Sequence, residues 1–217
     1  MQINIFNEQN TIFNRFVAEI RDVAVQTDPL RFRRNLERMG EIFAYEISKT
    51  LPYKKTDIKT PLGIAEENLP DNNVVVASIL RAGLPLHQGL LNYFDHADNA
   101  FVSAYRKYTE DGDFDIHIEY ISSPSLDDRI VILSDPMLAS GNSMDLAYKA
   151  LLHRGKPRHV HLVAIIASKE GVDYILENMK DEPVTLWLGA VDDELNAKSY
   201  IVPGLGDAGD LAFGTKL

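Results

Sequence analysis

The stretch from Ile130 to Ser143 joins a continuous apolar run to an acidic residue, a loop of small residues and the start of a helical pattern. Ligands of open α/β sheets bind at the carboxyl ends of strands, so Asp135 and the residues after it stand where chemistry is done. Ser140, Gly141, Asn142 and Ser143, opening a helix, can offer several N–H groups and hydroxyls to one phosphate, assisted by the helix dipole. The Lys of a P-loop and the spaced glycines of a dinucleotide fingerprint are both absent, which excludes those two motifs. A well-capped helix after a strand, with Ser143 as N-cap, is the plainer reading of the same residues. Arg81 stands between a buried-strand pattern and Gly83, as a structural arginine or an anion ligand. Asp207, flanked by Gly206 and Gly209, reads as a turn residue or as part of a site.

The elements that must position these residues follow from pattern. Ile12, Phe13, Phe16, Val17, Ile20 and Val23 recur at helical spacing behind a cap at Asn10 or Thr11. Asp28-Pro29 is a cap followed by proline at the first helical position, and Leu36, Met39, Ile42, Phe43 and Ile47 share one face of the second helix. From there strands alternate with helices. Apolar runs at 74–80, 100–105, 129–134, 159–167 and 184–190 read as strands, and 84–93, 142–153 and 170–179 as helices. Residues 106–128 form a polar excursion in which Asp115 to Tyr120 alternates with period two, the mark of an exposed hairpin arm. The segment 200–217 is glycine-rich with neither periodicity. The fold class is α/β: a mostly parallel sheet flanked by helices, in a single domain over 1–217.

Composition narrows the partners. The 217 residues carry 22 Lys plus Arg against 32 Asp plus Glu, a formal charge of −10. A chain so acidic, with no long Lys/Arg block, is not a general nucleic-acid binder, and small anions must be held by local arginines and backbone N–H groups. Zero cysteines exclude disulfides, a thiolate nucleophile and Cys-ligated metals. The N-terminus is not a signal peptide, and no apolar run reaches the ~18–20 residues that span a bilayer. These features predict a cytoplasmic protein with no membrane partner.

Three motifs then resemble the uracil phosphoribosyltransferases. Asp135-Pro136-Met137-Leu138-Ala139-Ser140-Gly141 is similar to their loop for phosphoribosyl diphosphate (PRPP), including the proline after the acid. Ile79-Leu80-Arg81-Ala82-Gly83-Leu84 matches at a strand-to-helix turn. The block from Tyr200 to Asp210, followed by Phe213-Gly214-Thr215, resembles the uracil-binding segment. Phe32-Arg33-Arg34, Ala44-Tyr45-Glu46 and Thr60-Pro61-Leu62-Gly63 add support, so the likeness runs from about residue 30 to the C-terminus.

The resemblance implies a phosphoribosyltransferase-type sheet with helices at 1–50, a hairpin arm at 106–128 and a base-binding hood at 195–217. It implies transfer of phosphoribosyl from PRPP to uracil, giving UMP and diphosphate. Asp135, Pro136, Met137, Leu138, Ala139, Ser140, Gly141, Asn142 and Ser143 would hold PRPP, with Asp135 on the ribose hydroxyls. Arg81 and Arg106 would clamp the diphosphate, and Asp207 would orient the ribose or the water shell of Mg²⁺ arriving with PRPP. Ile201, Gly206, Asp207 and Ala208 would present backbone groups to uracil and reject cytosine. The catalytic set is Arg81, Arg106, Asp135 and Asp207, with no evident general base.

Some positions depart from the family. Asn142 stands where a second glycine is usual, and Asn is the next residue to tolerate a positive φ. Lys107 to Gly112 lack the usual pattern, and the first 25 or so residues lack the common opening and read as an oligomerisation segment of a homodimer or larger assembly. Arg31, Arg33, Arg34 and Arg38 read as a solvated face paired with Glu37 and Glu41, or else as a site for an effector nucleotide such as GTP. His159 and His161 share a strand face in a packing or surface role, and Trp187 belongs to the core.

Overall fold

The computed structural model describes residues 1–71, 73–108 and 114–215, with side chains for all of these except 104–108 and 114–118. In chain order the elements are strand β1 (Gln2–Ile5), helices α1 (Ile12–Arg21) and α2 (Pro29–Ser48), and strands β2 (Tyr53–Thr60), β3 (Gly63–Pro70) and β4 (Val74–Leu80). Helix α3 (Leu84–Leu91), strands β5 (Asp98–Tyr108), β6 (Phe114–Ser122), β7 (Ile130–Ser134) and β8 (Met137–Leu138), and helix α4 (Asn142–Leu152) follow. The chain continues with β9 (His159–Ser168), α5 (Lys169–Asn178), β10 (Val184–Asp192), β11 (Glu194–Leu195), β12 (Ile201–Val202) and α6 (Ala208–Phe213).

Capping explains where the helices begin. Thr11 Oγ1 accepts the Phe13 N–H at 3.2 Å while Asn14 Oδ1 accepts the Thr11 N–H at 3.1 Å, a reciprocal box. Asp28 Oδ1 accepts from Leu30 and Arg31, with Pro29 in the first turn of α2. Helix α1 stops at Arg21, so Val23, expected on its apolar face, lies beyond it and is 79% exposed. Ile12 is exposed as well, at 62%, while Phe13, Val17 and Ile20 join the core and the half-buried Phe16 packs against it.

The main sheet has the order β1-β10-β9-β7-β4-β5-β6, with β8 also beside β9. Every pairing is parallel except β5 with β6. The predicted mostly parallel α/β architecture is therefore present, and the central strands read as unbroken apolar runs because both faces are covered. Val74, Val76, Ile130 and Ile132 pack under α1, α2 and α3, while Val75, Ala77, Val131 and Leu133 pack under α4 and α5. Gly40 and Gly89 let α2 and α3 touch backbone to backbone, since a Cβ at Gly89 would sit 1.9 Å from the Glu37 carbonyl oxygen.

Three features depart from expectation. Residues 2–5 form a sheet-edge strand along β10. Residues 53–70 form an antiparallel hairpin, β2–β3, in a sheet of its own. Within the aperiodic C-terminus, 208–213 form a short helix, whose Ala208 and Ala212 are buried in the core.

Candidate active site

Strand β7 ends at Ser134, and the chain turns through Asp135 and Pro136 into β8 and then the loop Ala139–Gly141. The left-handed residue of this loop is Gly141, at φ 85°, and it precedes α4 as N-cap without a capping side chain. Asn142 is the first helical residue and is not among the positive-φ positions. The departure from the family at Asn142 thus carries no conformational strain, because Gly141 bears the whole requirement. Ser143 is not the cap either.

Among the described residues no backbone acceptor takes the N–H of Ser140, Gly141, Asn142 or Ser143. Their direction is set from behind by α5. Ser168 Oγ donates to the Ala139 carbonyl at 2.6 Å and accepts the Gly171 N–H at 2.9 Å. A trans peptide points its N–H opposite to its C=O, so drawing the Ala139 carbonyl toward α5 aims the Ser140 N–H away from it. Gly171 permits this seat, since a Cβ there would lie 2.2 Å from the Ala139 oxygen. The Tyr174 ring fills the space beside Gly141, and its hydroxyl donates to the buried Asp145 Oδ2 at 3.0 Å, which also accepts from Lys149 at 2.8 Å. Ser168, Gly171 and Tyr174 escaped the sequence reading. Their spacing announces a capped helix, as Ser168 is indeed the N-cap of α5, but says nothing of what that turn supports.

Arg81 follows β4, the sheet neighbour of β7, so it and Asp135 leave adjacent strands at the same edge. Gly83 lets the turn press on Ser78, for a Cβ there would lie 2.2 Å from its hydroxyl oxygen. The Arg81 guanidinium reaches the C-terminal segment, 3.4 Å from Asp210 Oδ1 and 3.3 Å from the Gly214 carbonyl. Asp207 caps α6 by accepting the Asp210 N–H at 3.0 Å. Burial, then the nearby Asp207 charge, push the Asp135 carboxyl up to about 7, against the N–H of Met137, which favours ionisation. Asp207 thus lies near both Asp135 and Arg81, at the carboxyl ends of β4 and β7. Arg106 lies on β5, opposite Ile116 of β6, and its side chain is outside the described residues, as are Thr109 to Asp113.

Ile201 is buried on β12, Gly206 takes φ 94°, and Ala208 is buried at the start of α6. The basic cluster on α2 proves divided. Arg34 pairs with Glu37 at 2.7 Å, but Glu41 accepts from Asn92, and Arg33 donates to the Ala212 carbonyl of α6 at 2.6 Å, a tie to the C-terminal segment rather than a solvated face. His161 Nδ1 accepts the Trp187 N–H at 3.1 Å, and His159 contacts Thr185 at 2.9 Å, so both histidines serve packing.

Residues 8–215 match the family model described as uracil phosphoribosyltransferase. A uracil phosphoribosyltransferase from Porphyromonas gingivalis is 57% identical over 217 residues, covering 100% of both chains. The solved AQ2163 protein of Aquifex aeolicus superposes with a TM-score of 0.88 at 30% identity, again over 100% of both chains. A purine phosphoribosyltransferase from Pyrococcus horikoshii shares the fold, with a TM-score of 0.50 at 10% identity over 74% of this chain and 84% of its own. On the full-length identity and the family match together, the chain belongs to the uracil phosphoribosyltransferases.

Proposed function

We propose that the cleft at the carboxyl ends of β4 and β7 joins uracil to the ribosyl carbon of PRPP, giving UMP and diphosphate. One observation supports this most directly: Arg81, just past β4, reaches Asp210 Oδ1 and the Gly214 carbonyl at 3.4 and 3.3 Å, which brings the C-terminal segment beside the strand that leads to Asp135 and the phosphate loop. A ribose held at Asp135 can then bridge a 5′-phosphate on Ala139 to Ser143 and a base on Ile201 and Gly206 to Ala208. The C1′–oxygen bond to diphosphate breaks as the bond from uracil N1 to C1′ forms, and the N1 proton leaves to solvent or diphosphate.

The reacting carbon gains oxocarbenium character while charge builds on the departing diphosphate. Arg81 and Arg106 stabilise that charge, a planar fork suiting phosphate oxygens. Arg81 contacts Asp210 and Gly214 at 3.4 and 3.3 Å, longer than close charge-assisted bonds, so the diphosphate can compete for it. Asp207, whose charge adds to burial in raising the Asp135 carboxyl, would orient the water shell of a magnesium ion arriving with the diphosphate. Mg²⁺ bound to the diphosphate would supply further charge neutralisation of the leaving group.

Uracil is neutral and planar, with donors and acceptors on its edges. Backbone groups at Ile201 and Gly206 to Ala208 read both edges, and cytosine leaves one of them facing a like group. Exposed Leu62 and Ile64 on the β2–β3 hairpin support assembly as a homodimer or larger. Among the described residues no helix is long and apolar enough to cross a membrane, in keeping with a cytoplasmic enzyme. The test is UMP formation from PRPP and a panel of bases, with and without Mg²⁺. Uracil-specific, magnesium-dependent product is expected; preference for a purine, or none formed, overturns the reading.

A further inference from the structure

The C-terminal segment is held by arginines at several points, and one of them stands apart from the anion-binding residues. Arg21, the last residue of α1, places Nη1 2.7 Å from Asp192 Oδ2 and Nη2 2.7 Å from Asp192 Oδ1. The same Nη1 donates to the Gly204 carbonyl at 2.9 Å, and Asp192 Oδ2 accepts the Gly204 N–H at 2.9 Å. Both backbone polar groups of Gly204 are therefore gripped by one bidentate pair.

Gly204 sits at φ 56°, curled so tightly that a Cβ would lie 2.1 Å from the Ile201 carbonyl oxygen. It stands between Ile201 and Gly206, the residues whose backbone is assigned to the base. Fixing Gly204 in orientation fixes where those backbone groups point. Asp192 ends β10 and its side chain is 7% exposed, with that of Arg21 at 22%. An ion pair this buried is a weak source of net stability, because desolvation offsets its attraction. Its fork-on-carboxylate geometry is instead a strong constraint on direction.

We infer that Arg21 and Asp192 are positioning residues for the nucleobase, tying the uracil-reading turn to α1 and to the end of β10. The inference rests on Ile201, Gly206 and Ala208 being the uracil collar. Neither residue touches substrate; both act through Gly204.

Steady-state kinetics of the full chain test this with Arg21→Lys and Asp192→Asn. Arg21→Lys keeps the charge but loses the fork, so KM for uracil should rise about tenfold, KM for PRPP should hold within about twofold, and discrimination against cytosine should fall. Equal rises in both KM values, or a lowered melting temperature with uracil KM unmoved, would show a merely structural tie and overturn the proposal. Gly206→Ala separates the two levels of the argument. Were it to leave uracil KM unchanged, the collar reading itself fails; were it to raise uracil KM while Arg21→Lys does not, only the clamp is wrong. Amide exchange on the wild-type chain needs no variant to fold. The Gly204 N–H should exchange far more slowly than that of Gly206, and comparable rates would again refute the clamp.

Discussion

Asp207, the cap of the last helix, lies near enough to Asp135, at the end of a central strand, for its charge to help hold a proton on Asp135. Burial is the larger cause, and the two together bring the Asp135 carboxyl to about 7 in the free protein. An ionised Asp135 is the form that accepts from ribose hydroxyls. The kcat/KM for PRPP should therefore climb with pH through about 7. Asp207→Asn keeps the cap and removes the like charge, so that limb should move to lower pH. A profile unchanged in Asp207→Asn would count against the coupling.

The same carboxyl sets a dependence of stability on pH, and a buried histidine sets the opposite one. Asp135 is raised from 3.8 to about 7, so its contribution is complete below 3.8 and is lost as pH rises through about 7. Asp135→Asn should accordingly stabilise the ligand-free protein at pH 8 by roughly 2–4 kcal/mol and change little at pH 4. His161 is lowered from 6.5 to about 3 by burial and then by the charge of His159, so its contribution is present above 6.5 and fades as pH falls. His161→Gln, which can still accept from Trp187, should flatten the loss between pH 7 and 4.5. Urea midpoints from pH 4 to pH 8 measure both effects.

At the phosphate loop the burden of left-handed geometry falls on Gly141. Gly141→Ala adds a strain of roughly 1–2 kcal/mol and a Cβ 2.7 Å from the Tyr174 ring. KM for PRPP should rise about tenfold or more, the kinetic equivalent of that energy. Asn142→Gly, which restores the family's usual residue, should bring no gain, because Asn142 is already helical. A marked improvement in PRPP affinity on Asn142→Gly would contradict this placement.

Arg106 is assigned to charge that grows as diphosphate departs. Replacement by Ala should reduce kcat about 10²- to 10³-fold while leaving uracil affinity nearly unchanged. Single-turnover measurement of UMP formation isolates that step, and undiminished turnover would remove Arg106 from the mechanism.

Much of this protein is legible along the chain. Asp28-Pro29 marks a helix start, and Val74 to Leu80 and Ile130 to Ser134 declare buried strands, since capping and two-sided burial act on neighbouring residues. The acid-loop-helix order after β7 likewise announces where an anion binds. The hairpin 53–70 stayed hidden because both of its strands are mostly exposed and so carry no apolar alternation. Strand β1 is short, and only its partner β10 makes it a strand.

What the residues could not reveal singly were contacts between distant segments. Nothing local to Ser168 or Gly171 says that they hold the Ala139 carbonyl, and nothing local to Arg21 points to Gly204, 183 positions away. Local sequence determines propensity, caps and the chemistry a loop can offer. Tertiary packing alone decided which carboxylate shares a cleft with which, because a charge raises another's pKa, and a guanidinium fork orients a turn, only once the chain has brought them together.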